Sequence, residues 1–513
     1  MPFILPPVDS GPLSAGIEVA GFQFEGNTIF SSEVLQKLLA DYAGRRLSAI
    51  EFEEIRNRVT HYYVDRGYLN SGALLGMPPE SGRYPNDLLP IRIVEGRVES
   101  VNIKGEECLR KSYIEDRLVR GDEILNVNVM QERFRLLLTD PLFDKINSRI
   151  IPGDTPGRAV LDIDIVRARP YALSVFANNY RPPSIGSEAV GVGGWVRNLS
   201  GYGDVLDASL QHSQGADPVH LGWAVPLGAK GTSVHASYDR GNSSVIEESL
   251  RAVDIKSLSS GFEIGIGQSL VDTLARKVDL GLSYGERKNT TTLLGQAFSF
   301  TPGEPDGVSK VRVWHFSQDW TERWEKQALA ARSVFAFGRN NVDPQAAGGT
   351  AANPATVADS RYAIWTGQAQ YVQTVSDQGA QILLRGATQY TPDRLLPMEQ
   401  FSLGGVGTVR GYRENAVLRD HAWAASAEYH YPLWSGGDDK RSLKLITFAD
   451  LGSGWNKGEA SQKLSSVGVG LSWRYFGISA DLYLAHKLTS LPVETSGNLQ
   501  DHGIHFQISY SLF

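Results

Sequence analysis

The stretch "AWAASAEYHYPL", residues 422–433, decides how the larger part of this chain folds. Trp423, Ala425, Ala427, Tyr429 and Tyr431 stand on one face, and Ser426, Glu428 and His430 on the other. A period of two is the period of a strand, whose side chains alternate between faces. Such a strand suits a soluble sandwich or propeller, with its apolar face packed inside. It also suits a closed barrel with lipid outside and water inside.

The neighbourhood separates these. The alternation begins near Ala168 and recurs in "DVLDASLQH" (204–212), "HLGWAVPL" (220–227), "KVDLGLSYG" (277–285), "VGVGLSWRY" (467–475) and "GIHFQISYSLF" (503–513). Sixteen strands can be placed, starting near residues 171, 187, 203, 217, 230, 256, 274, 308, 326, 360, 379, 421, 441, 463, 477 and 503. Their connections alternate tight and long. "SGYG", "GAKG" and "SDQG" are tight turns, whereas 240–254, 339–359 and 392–420 are long loops. Short turns on one side and long loops on the other mark an outer-membrane barrel with its ends in the periplasm. Aromatics near strand ends, among them Trp434, Trp473 and Tyr475, fit an interfacial girdle, and no blade-length repeat favours a propeller. The predicted fold is an all-β transmembrane barrel of 16 antiparallel strands over 168–513.

Two smaller units precede it. In the first, 16–96, a strand "IEVAGFQFEGN" leads to a helix with Val34, Leu35, Leu38 and Leu39 at helical spacing. Ser48 and Glu51 then form a capping-box pattern before a second helix bearing Phe52, Ile55 and Val59. That helix stops at Arg66-Gly67-Tyr68, and two strands follow. The order β-α-α-β-β repeats over 97–167, with Gly105 standing where Gly26 stood. Each unit is a small α+β module with a sheet edge open to an added strand. Residues 1–15 carry prolines and no periodicity and read as a tether.

Composition narrows the function classes. The net charge of −7 gives no basic footprint for nucleic acid. A single cysteine, Cys108, precludes an internal disulfide, and its charged surroundings describe an ordinary thiol. Histidines stand singly on strands, without metal-ligand spacing, and no nucleophile elbow or phosphate loop is present. No catalytic residue, metal or cofactor is therefore expected. There is no run of apolar residues long enough for a transmembrane helix, and no signal peptide is visible.

The organisation resembles the TpsB transporters of two-partner secretion, within the outer-membrane superfamily that also contains BamA. The small modules look like POTRA domains, and Val94-Glu95-Gly96-Arg97 is similar to the family's junction between them. The sixth long loop, 391–420, carries Leu403-Gly404-Gly405 and Thr408-Val409-Arg410-Gly411-Tyr412, which match the family's loop-six motif. Phe448, Asp450 and Gly452, in "FADLG", match the motif of the thirteenth barrel strand. The resemblance implies that loop six folds into the lumen and that Arg410 pairs with Asp450. Read without the resemblance, Arg410 is a solvated charge on an extracellular loop and Asp450 a turn residue before Gly452. Ile446 and Phe448 share a face with Asp450 and are placed to pack under the loop.

The implied function is secretion of an unfolded TpsA-like exoprotein from periplasm to cell surface, recognised by the POTRA domains and driven without ATP. A BamA-like assembly factor is the alternative. Implied partners are the exoprotein, the barrel-assembly machinery and outer-membrane lipid or lipopolysaccharide, with the transporter a monomer. Phe513 fits the terminal aromatic read by that machinery, although the last strand's apolar face runs through Tyr510 and Leu512. Many members carry an N-terminal helix that plugs the barrel; residues 1–15 are too short and proline-broken to form one.

Overall fold

The structure is a computed structural model that describes residues 16–77, 83–248, 250–343, 357–436, 440–491 and 497–512. The tether and Phe513 lie outside the described residues. The chain divides into two compact units, one ending at Ala168 and the other starting at Arg169.

In the first unit, helices Ser32–Leu38 and Ala49–Val64 cover a sheet with Leu88–Val94 at its centre. That strand runs parallel to Gly21–Glu25 and antiparallel to Gly72–Leu75. Leu35, Ile55, Val59, Tyr63, Leu89 and Ile91 are fully buried between these layers. Ser48 and Glu51 form the capping box, each side chain bonded to the other's backbone N–H. The opening strand departs from the sequence reading. It breaks at Ala20, and Ile17–Val19 pairs with an additional short strand, Arg45–Leu47. The second module repeats the plan: Arg158–Arg167 lies between Arg97–Lys104 and Phe143–Pro152, under helices Lys111–Leu118 and Val127–Leu138.

The early Arg66-Gly67-Tyr68 does more than end a helix. Gly67 has φ +93°, and Tyr68 N donates to Tyr63 O at 3.1 Å, closing the helix. The same turn accepts bonds from the second module, Val127 N to Gly67 O at 2.8 Å and Asn126 Nδ2 to Arg66 O at 3.0 Å. At the junction, Glu95 accepts from the backbone of Thr28 and Ile29 and from the Tyr63 hydroxyl. Burial, then the Glu95 carboxylate, pushes the Tyr63 phenol above its ordinary pKa.

The second unit is a closed antiparallel barrel of sixteen long strands among the described residues. A two-residue piece, Gln296–Ala297, folds back on its neighbour inside the fourth long loop. Every long strand starts within two residues of the position read from sequence. Closure comes from Ile504–Ser511 pairing with Tyr171–Asn178, from Gln507↔Asn178 to Ser511↔Ser174. The outward face is apolar: Trp223, Ile264, Phe337, Leu451 and Val469 are all exposed, as lipid contact requires. In His421–Ser435, Trp423, Ala425, Ala427 and Tyr429 face out, while Ala424, Ser426 and Glu428 are buried. Burial on the inner face means that something fills the lumen there.

Candidate functional site

That filling is loop six, between strands Gln381–Tyr390 and His421–Ser435. A short hairpin, Phe401–Leu403 with Val417–Arg419, carries a tight tip. Backbone conformation dictates its glycines. Gly404 and Gly405 have φ of +98° and +94°, and a Cβ on Gly405 would lie 2.1 Å from the Glu414 carboxyl. Gly404 N donates to Thr408 Oγ1 at 2.9 Å, and Gly405 N to Val409 O at 3.1 Å. Val406 N donates to Glu414 Oε1 at 2.7 Å, so this carboxylate closes the turn from beneath.

The tip delivers Arg410 to the inner wall formed by the two strands that follow the loop, His421–Ser435 and Arg441–Trp455. Arg410 Nε and Nη2 donate to Asp450 Oδ2 and Oδ1, both at 2.8 Å, and Arg410 N donates to Asp450 Oδ2 at 3.0 Å. Nη2 also lies 2.9 Å from Glu428 Oε1 and 3.0 Å from Ser426 Oγ. The guanidinium sits 3.5 Å above the Phe448 ring and 5.1 Å from that of Tyr483. Arg410 is 1% exposed, Asp450 0% and Glu428 5%. A charge so stripped of water requires a matched partner, and the planar fork supplies two parallel bonds to one carboxylate. Glu428 additionally binds Arg385 and, at 2.6 Å, His430 Nε2. Two guanidinium groups and two carboxylates therefore balance inside the lumen.

The remaining sequence-derived residues cluster here too. Gly411, φ +93°, donates its N–H to His505 Nε2 at 3.1 Å, and its Cα faces Ala485. Tyr412 OH donates to Thr489 O at 2.6 Å and lies 3.0 Å from Ser465 O. Val409 is fully buried with Leu403, Val417 and Leu464. Gly452 leaves room for that cluster, since a Cβ there would meet Leu403 and Val409 at 3.0 Å. Phe448 is the floor beneath the guanidinium, and Gly468 opposite has no space for a side chain because the Phe448 ring fills it.

Sequence reasoning missed several partners. Alternation puts Glu428 and Ser426 on the polar face of their strand, yet it cannot say which lumen residue meets the loop. Arg385 and Tyr483 carried no signal beyond that face. Arg413 was also missed: it forks to Asp501 at 2.6 and 3.0 Å and reaches Glu247 at 2.8 Å. It ties loop six to the third and eighth long loops.

Comparison with known proteins gives a consistent picture. A family described as "Haemolysin secretion/activation protein ShlB/FhaC/HecB" matches residues 157–474, and "POTRA domain, ShlB-type" matches 17–96. The chain is 23% identical to the outer membrane transporter CdiB of Dickeya dadantii, over 80% of this chain and 72% of the relative. It is 22% identical to the heme/hemopexin transporter protein HuxB of Haemophilus influenzae, over 86% and 78%. The solved structure of CdiB from Escherichia coli superposes with a TM-score of 0.70 at 20% identity, covering 100% of this chain and 94% of that one. The last likeness is one of fold.

Proposed function

The chain belongs to the ShlB/FhaC/HecB family of haemolysin secretion/activation proteins, and from that premise we propose that loop six is the gate through which its exoprotein leaves. The protein is an outer-membrane transporter of two-partner secretion, with its barrel in the outer membrane and its POTRA region in the periplasm. It secretes an exoprotein across that membrane, as a transporter and not an enzyme.

The finer mechanism is our reading. The client arrives unfolded and docks on the two N-terminal modules, 16–96 and 97–167, by strand addition at a sheet edge. It then threads the lumen once the tip of loop six leaves the wall. Folding of the client outside supplies direction. The observation that carries this reading is the fully buried Arg410, held inside the lumen by Asp450 and Glu428 on the barrel wall. A docked tip obstructs the passage, and a pairing confined to one charge cluster is a contact that can be broken as a unit. The transporter acts as a monomer in lipopolysaccharide-bearing lipid, and Phe513 addresses it to the barrel-assembly machinery.

Deleting the transporter tests this against an assembly factor. Loss of one exoprotein from the cell surface, with other barrels at normal levels, supports secretion. A general fall in barrel proteins overturns it.

A further inference from the structure

The outward face of the barrel carries a second feature that the gate does not use. Near the long-loop end of strands Arg276–Leu293 to Arg361–Thr374, the apolar belt gives way to a row of cations. Lys288 stands directly opposite Lys310, Arg312 opposite Arg339, and Arg339 opposite Arg361. Strand alternation places all of them outward, on the same face as Trp314, Phe316 and Phe337. Glu286 is the one carboxylate in the row among the described residues, 2.7 Å from Lys310 and 2.9 Å from Arg312. No ion pair to Arg339 or Arg361 is found among the described residues, and both are exposed.

Like charges directly opposite on a sheet repel and destabilise it. A chain of net charge −7 has gathered five cations on one patch, against one acid. The row below is equally particular. Two residues nearer the membrane centre, about 7 Å along the strands, Tyr284 stands opposite Trp314, and Trp314 opposite Phe337. The Tyr284 and Trp314 rings are 5.1 Å apart. Lys310, Arg312, Arg339 and Arg361 line a groove of about 820 Å³ with Tyr284, Trp314 and Phe337 in its wall. Aromatics of this kind mark the membrane interface, so the cations lie at headgroup height on the cell-surface side.

We propose that this groove binds a phosphorylated glycolipid of the outer leaflet, the lipid A part of lipopolysaccharide, with its phosphates on Arg312, Arg339 and Arg361 and its acyl chains over the aromatic row. Charge complementarity selects the phosphate, since arginine forks match phosphate oxygens and each bond is charge-assisted. The aromatic wall selects a ligand that is apolar immediately below its phosphate, which an inorganic ion is not. The inference rests on the outer-membrane location given above and is independent of the gating of loop six.

The test titrates full-length protein in detergent with fluorescent bis-phosphorylated lipid A. Wild type is compared with the Arg312→Gln/Arg339→Gln/Arg361→Gln variant and with a control, Arg45→Gln/Arg58→Gln/Arg149→Gln, altered in the first unit. Loss of three contacts near a phosphate layer is expected to weaken binding on the order of a hundredfold. The control variant retains binding, and dephosphorylated lipid A binds as weakly as the triple variant does to the intact lipid. Heat-resistant migration in gels verifies that each barrel is folded, and the single Arg361→Gln variant, with a smaller loss, serves if the triple variant fails that check. Equal affinity of wild type and variant overturns the proposal. So does displacement of the lipid by equimolar phosphatidylglycerol or inorganic phosphate, which would make the patch a general anion surface. Exoprotein secretion is not the readout, so failure here leaves the transport reading standing.

Discussion

Replacing Arg410 by alanine removes the contact on which the docked loop depends. The change abandons Asp450, which has no exposure, and withdraws one of the cations beside Glu428. Breaking a buried pair from one side costs about 3–5 kcal/mol, because the surviving charge stays buried without its partner. The lost stacking on Phe448 acts in the same direction. Taking about 4 kcal/mol against the docked state shifts the equilibrium between docked and released tip on the order of a thousandfold. Gly407 provides the reporter, because a Cβ there meets nothing within 4 Å. A Gly407→Cys chain, with Cys108 changed to serine, is treated on whole cells with a maleimide polymer too large for the occupied lumen. Labelling should be slow with Arg410 and orders of magnitude faster with Arg410→Ala, while heat-modifiable migration shows the barrel folded. Arg410→Lys keeps the charge but loses the fork, and should fall between them, about 2 kcal/mol from wild type. Equal labelling of all three folded barrels would refute the reasoning.

Other outcomes follow from the same geometry. Glu428→Gln should release the tip less than Arg410→Ala does, because Asp450 still holds the fork; equal labelling rates would show that the two carboxylates act as one unit. Tyr412→Phe leaves Ser465 O and Thr489 O without their hydroxyl partner, costing about 1–3 kcal/mol and raising single-channel opening in planar bilayers. Gly411→Ala forces a side chain to φ +93° against Ala485, a cost of about 1–2 kcal/mol read in the same conductance assay. In the periplasmic unit, Gly67→Ala would place a Cβ 2.7 Å from Asn126 Oδ1, so limited proteolysis of the full chain should cut near that junction sooner.

The barrel was legible because each strand states its own orientation. Side chains alternate every residue, lipid tolerates few polar groups, and tight and long connections count the strands without any knowledge of pairing. That suffices to place sixteen starts within two residues. The small strand Arg45–Leu47 was not legible: three residues after Gly44 carry too little periodicity to stand out from a loop. The pairing of Arg410 with Asp450 rests on a motif match, since residues 40 apart meet only because loop six folds back into the lumen onto the two strands that follow it. Glu428 shows the limit most clearly. Its face was evident, yet its neighbours Arg385, Arg410 and His430 come from an adjacent strand, a loop and its own strand. Arg66-Gly67-Tyr68 reads locally as a helix stop, and its second duty, accepting bonds from the following module, depends on contacts no local pattern encodes.

Release of the tip during secretion can be tested by preventing it. A Cβ on Gly452 lies 3.0 Å from the Val409 side chain, so Val409→Cys/Gly452→Cys, without Cys108, is placed to form a reversible bridge between loop and wall. Secretion of the exoprotein is measured with the bridge oxidised and then reduced. Arrest when oxidised and recovery on reduction is the expected result; undiminished secretion through a fully bridged barrel would contradict the gate.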